Sequence, residues 1–182
     1  MSAHPTDEAP GRLDLLRVFV NTLDYPAGPD HLATPETASA WCREHGLPPL
    51  SNQRELDRLR AFREALRELL FANNGEGDPA AAWDGMQPYL RHANFTLALA
   101  HGTGPKLEPA GAGADRAIAS MLALVYDALG EGTWQRMRAC RKSSCKFAYY
   151  DRSKNGSRAW CSMAVCGNRE KAQRRRSRDR TL

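Results

Sequence analysis

The chain has 182 residues, room for one ordinary domain and a small appendage, and its 42% hydrophobic content is that of a globular protein. Its net charge of +5 is unevenly spread: residues 1–135 hold 11 Lys and Arg against 18 Asp and Glu (−7), whereas residues 136–182 hold 15 against 3 (+12). An acidic body with one basic end suits docking on a polyanion, a solvated basic tail being the plainer alternative, and the lack of a signal pattern or of an apolar run near the ~18–20 residues of a membrane span points to a soluble, cytoplasmic protein.

Residues 1–11, rich in Pro, Ala and acid, are expected to be disordered. Leu13, Leu16, Phe19, Val20 and Leu23 then recur at helical spacing. Two prolines and a glycine make residues 24–32 a loop. Thr34 before Pro35 caps a second helix, which Gly46 stops. Ser51 opens the longest helix, to about residue 72, with Leu56, Leu59, Phe62, Leu66, Leu69 and Leu70 as its apolar stripe. Asp78–Pro79 starts another, which Gly85 weakens and Pro88 is expected to end.

From Asn94 the period changes. Phe95, Leu97 and Leu99 alternate with Thr96 and Ala98, a strand pattern, and residues 106–108 can return as its partner. A last body helix, residues 115–129, carries Ile118, Met121, Leu122, Val125 and Leu129. Gly130 and Gly132 then separate a mostly helical body, residues 12–132, from a basic module, residues 137–182. The body's stripes are expected to close on each other without the module.

That module holds Cys140-x4-Cys145-x15-Cys161-x4-Cys166. Two pairs, each closing a short loop and separated by room for a hairpin, are how four-thiolate zinc sites are assembled. A disulfide pairing, disfavoured in a reducing compartment, and unligated thiols are the alternatives. Phe147, Tyr149 and Tyr150 suit a strand, and Asn155-Gly156 a hairpin turn between the cysteine pairs. With four thiolates the metal has no open position, so the site reads as structural, which argues against zinc hydrolase chemistry. Beyond Cys166, a helix would align Lys171, Arg174, Arg175 and Arg178 on one face, with Arg169 and Arg176 alongside. Such a face suits phosphate contacts, and arginine also reads guanine edges.

Cys140, Cys145, Tyr149, Asp151, Ser153, Arg158, Trp160, Cys161 and Cys166-Gly167-Asn168-Arg169 together resemble the CGNR zinc-finger family over residues 137–178. Ala159 stands where that family usually has a second Arg, and Arg175 where Tyr or His is common. The resemblance implies one structural Zn2+ on the four cysteines, a treble-clef-like finger with a basic C-terminal helix, and nucleic-acid contacts from Arg158 as well as the residues after Cys166. Upstream, Phe19-Val20-Asn21-Thr22-Leu23-Asp24, Thr34-Pro35-Glu36, Trp41 and Arg63-Glu64-Ala65-Leu66-Arg67 resemble the ABATE domain of stress-induced transcription regulators. Cys42 departs from that family's usual Leu and fits as a small buried side chain.

The remaining polar residues give weaker signals. His31, His45, His92 and His101 share no ligand spacing and suit surface or capping roles. Asn21, Thr22 and Asp24 follow an apolar helix, either as its C-terminal turn or as the lining of a pocket for a small effector. No P-loop, dinucleotide fingerprint or catalytic triad is present, so an enzyme is not expected. The expected architecture is α+β, mostly α: a helical body with a small β-hairpin, then the finger. The expected function is a DNA-binding transcriptional regulator whose body senses an effector or forms a homodimer. An RNA-binding protein using Tyr149, Tyr150 and Trp160, and a protein-interaction adaptor, are the alternatives.

Overall fold

The computed structural model describes residues 8–23, 28–100 and 103–179. Asp24 and His101 lie outside it, as do the side chains of Arg174, Arg175 and Arg178. Helices α1 (Asp14–Val20), α2 (Pro35–Glu44), α3 (Gln53–Ala72) and α4 (Pro79–His92) come first. Strands β1 (Phe95–Ala100) and β2 (Thr103–Pro109) form an antiparallel hairpin, followed by α5 (Gly113–Gly130). The module contributes β3 (Met137–Ala139), β4 (Ala148–Tyr150) and α6 (Asn168–Asp179).

The caps explain most boundaries. The Thr34 hydroxyl accepts from the Thr37 amide, and the Thr37 hydroxyl accepts from the Thr34 amide in return, a reciprocal cap at the start of α2. At α3 the cap is Asn52 rather than Ser51: its side chain accepts from the Glu55 amide, while the Ser51 amide donates to the Glu55 carboxylate. Pro88 does not end α4, which runs on to His92. Pro88 and Asp84, whose carbonyl loses its helical partner, are both exposed, so water can take the missing bond. Meanwhile Met86 is buried and Tyr89 packs edge-on against Phe62.

α3 is the central element, packed by α1, α2, α4, α5 and β3. Leu56, Leu59, Phe62, Leu66 and Leu70 are fully buried along it, each side chain contributing about 1.5–3 kcal/mol on leaving water. Phe19 of α1 meets both Trp41 of α2 and Phe62 of α3.

Three further sequence expectations change. Residues 8–11 are held, with Ala9 buried and its amide donating to Asp14, because the 3-10 turn Gly11–Leu13 folds the chain back onto the body. The second hairpin does not lie between the cysteine pairs: β4 pairs with β3 across the first pair, Met137 opposite Tyr150 and Ala139 opposite Ala148. The Asn155-Gly156 segment is a turn with no second strand beyond it. Finally, the body shares its core with the module, because Trp134, Met137, Ala139 and Ala148 belong to the same buried apolar cluster as α1, α3 and α5.

Candidate metal centre and nucleic-acid interface

Cys140 follows β3, and its amide donates to the Phe147 carbonyl, tying the two arms of the hairpin. A turn in which the Cys145 and Lys146 amides both donate to the Lys142 carbonyl brings Cys145 back beside it. Lys146 takes φ +45°, an uncommon left-handed conformation for a residue with a side chain. Its ammonium meets Glu68 at 2.6 Å and sits 4.7 Å from the centre of the Phe71 ring, both on α3.

Cys166 lies in the wide helical turn Met163–Gly167, which Ser162 caps and which continues directly into α6. The last ligand thus sits in the first turn of a helix that Gly167-Asn168 does not interrupt. Gly167 sits in close quarters: a Cβ there would displace the flexible, half-exposed Met163 side chain and stand 3.2 Å from Trp160.

The four sulfurs are buried and lie within 4.8 Å of one another. Cys145 to Cys161 and Cys161 to Cys166 are each 3.7 Å. Four sulfurs held about 2.3 Å from a tetrahedral metal stand about 3.8 Å apart, whereas a disulfide bond is about 2.0 Å. Every cysteine is a free thiol. Hydrogen bonds from Cys145 and Cys161 lower the pKa of the Cys140 thiol, while the hydrogen bond to Cys140 raises that of Cys145. Four thiolates this close repel one another, so holding all four calls for a divalent cation. Cys42, fully buried and with its thiol pushed up to about 11 by desolvation, is a core residue apart from this cluster.

Residues 13–131 match the ABATE family, described as "Putative stress-induced transcription regulator", and residues 136–179 match the CGNR zinc finger. The chain belongs to the ABATE family. No curated protein matches it. These are regulator and zinc-finger families rather than enzyme families. The CGNR match and the clustered thiols give this ABATE protein one structural zinc ion, bound by Cys140, Cys145, Cys161 and Cys166.

Around the zinc ligands a buried polar network fixes the finger. Asp151 is fully buried and accepts from the amides of Ser153 and Arg158 and from the Arg138 guanidinium. Burial raises its pKa, but these donors outweigh it and the carboxyl is held below its ordinary value. Arg158 points inward: its guanidinium donates to the Trp160 and Cys161 carbonyls and lies 4.7 Å from the centre of the Tyr149 ring. Half-buried Arg158 thus braces the zinc loop, whereas Arg169, Lys171 and Arg176 are exposed on α6.

Residues that the sequence did not single out join finger to body. The buried Asn74 amide donates to the carbonyls of Ala139 and Ala159 and to the Tyr149 hydroxyl. Asn73 donates to the carbonyls of Trp134 and Met137. Arg67, 1% exposed, bridges the Val20 carbonyl of α1 to the Lys146 carbonyl of the zinc turn. Asn21 has a use that neither sequence reading anticipated. Its carboxamide donates to the Ala148 carbonyl and accepts from the Ala148 amide, prolonging the backbone pairing of β4. Thr22 is buried and accepts from Arg63, which also makes a two-pronged pair with Asp30. Asn21 and Thr22 also line a shallow cleft of about 360 Å³ with Arg17, Trp41, His45 and the finger's Phe147.

Proposed function

We propose that this ABATE protein is a DNA-binding transcriptional regulator in which α6 carries the nucleic-acid contacts and the zinc centre holds α6 to the body. The observation that carries this reading is the exposed basic helix that grows directly from the turn bearing Cys166. Arg169, Lys171, Arg174, Arg175, Arg176 and Arg178 would contact phosphates, with Arg169, nearest the metal, reading a base edge. The negative body would face away from the duplex. Duplex DNA is favoured over RNA because Tyr149 is fully buried and not free to stack on a base. The cleft beside Asn21 is a candidate effector site for a cytoplasmic sensor, since the bound molecule would touch finger and body together. No described helix is long and apolar enough to cross a membrane.

Neutralising Lys171, Arg174, Arg175 and Arg178 together tests the interface. If all four contact phosphate, the slope of log K against log salt should fall by roughly 3–4 units on duplex DNA, at about 0.9 per contact. Zinc content should not change. Unaltered affinity and slope would eliminate α6 and favour the adaptor role.

A further inference from the structure

Among the described residues β1 and β2 pair only with each other, so each has an open edge. The register decides which backbone groups stand there. The Ala110 amide donates to the Asn94 carbonyl, Phe95 lies opposite Pro109, and Leu97 opposite Leu107. Bonded and non-bonded pairs alternate in an antiparallel ladder, so Thr96 and Ala98 bond inward to Glu108 and Lys106. The backbone groups of Phe95, Leu97 and Leu99 then face outward from β1, and those of Pro105, Leu107 and Pro109 from β2. Ala98 pairs with Lys106 but Ala100 with Thr103, so the extra residue of the bulge is in β2 and β1 stays regular.

The two edges are unlike. Two of the three outward positions on β2 are prolines, which have no N–H to offer and block further pairing. β1, FTLALA, has neither proline nor charge, and its Leu97 and Leu99 side chains are 59% and 77% exposed. α5 packs against β2, leaving β1 on the outside of the sheet. A regular, uncharged open edge is a template for another strand.

We propose that two copies of the chain join here, β1 pairing antiparallel with the β1 of a second copy. The strand's own symmetry selects that partner. About a two-fold axis at Leu97, Leu97 faces the partner's Leu97 and Phe95 faces the partner's Leu99. Their outward groups then exchange about six hydrogen bonds. Phe95, Leu97 and Leu99 share one face with Leu107 of β2, so the shared sheet gains a continuous apolar face, and no charge on β1 repels its counterpart. The product is a four-stranded sheet ordered β2–β1–β1–β2. Its outer edges are the proline-bearing ones, so assembly stops at two. This gives the dimerisation role of the body a surface, and its test reads mass rather than DNA binding, so the two ideas fail separately.

Light scattering or sedimentation of the zinc-loaded, full-length protein should give twice the 20.2 kDa chain mass. Leu99→Lys and, separately, Leu97→Pro should return it to the single-chain mass with unchanged zinc content and circular dichroism. The Leu97 amide is not bonded within the hairpin, so proline removes only the outward donor. If either variant misfolds, hydrogen exchange on the wild type decides: the amides of Phe95, Leu97 and Leu99 should become protected as protein concentration rises. A wild type that is monomeric across the micromolar range overturns the proposal. So does a dimer that survives both substitutions, or one whose β1 amides exchange freely.

Discussion

Asn21, Asn73 and Asn74 each use a short neutral amide where finger meets body, and each bonds main-chain groups, Asn74 a side-chain hydroxyl as well. Asn74 does the most: one buried NH2 group serves two carbonyls and a phenol. Asn74→Ala should cost about 1–3 kcal/mol, because the buried Ala139 carbonyl loses its donor, while the Ala159 carbonyl keeps only the Arg141 amide. Chemical denaturation would measure it, and a loss under ~0.5 kcal/mol would mean that water replaces the amide. These contacts were not legible beforehand. An acceptor 65 or 127 residues away leaves no mark on the periodicity around the donor. The four cysteines were legible because each x4 spacing closes its own loop, so the constraint is local. The inward bonds of Arg158 were hidden for a related reason: charge alone does not reveal a folded loop that offers carbonyls to bind.

At the scale of elements, helices capped by their own neighbours were read well. Thr34-Pro35 and Asp78-Pro79 set helix starts within the segment itself. What tertiary packing decides was missed: α4 passes through Pro88, and β4 turns back to β3 instead of pairing beyond Asn155-Gly156. The β3–β4 hairpin is also where metal and core meet. Met137, Ala139 and Ala148 face the body's cluster, while Cys140 and Cys145 sit on the connection between the same strands. Cys161→Ser should therefore abolish stoichiometric zinc, read by metal analysis, and should also lower the melting temperature of the helical body. Tight zinc retained in that variant would refute the four-thiolate centre, and an unchanged body transition would refute the coupling.

For the whole molecule, the family matches divide the chain between residues 131 and 136, yet the packing does not divide there. A fragment ending at Gly132 loses Trp134, Met137, Ala139 and Ala148 from its core, it removes the acceptors of the Asn21, Asn73 and Asn74 side-chain amides, and it leaves Arg67 only its bonds within the body. It should be helical but loosened, binding a hydrophobic dye and showing no sharp thermal transition. A fragment that melts as cooperatively as the intact protein would show that the body is self-sufficient after all.

The hairpin's double membership also orders events during synthesis. When residue 132 has left the ribosome, α1, α3 and α5 are complete but one wall of their core has yet to be translated. At about 5–20 residues per second, the remaining ~50 residues take roughly 3–10 s. The wall then stays loose until a metal ion arrives, since its two strands are linked through the loop that the ion closes. Nascent chains made in a zinc-poor cell would thus stall with a half-lined interior open to chaperones and proteases. Supply of the metal would set how much regulator exists, before any signal reached its surface. The Gly132 fragment is that stalled state made permanent, so its dye binding and melting also measure how exposed the waiting chain is.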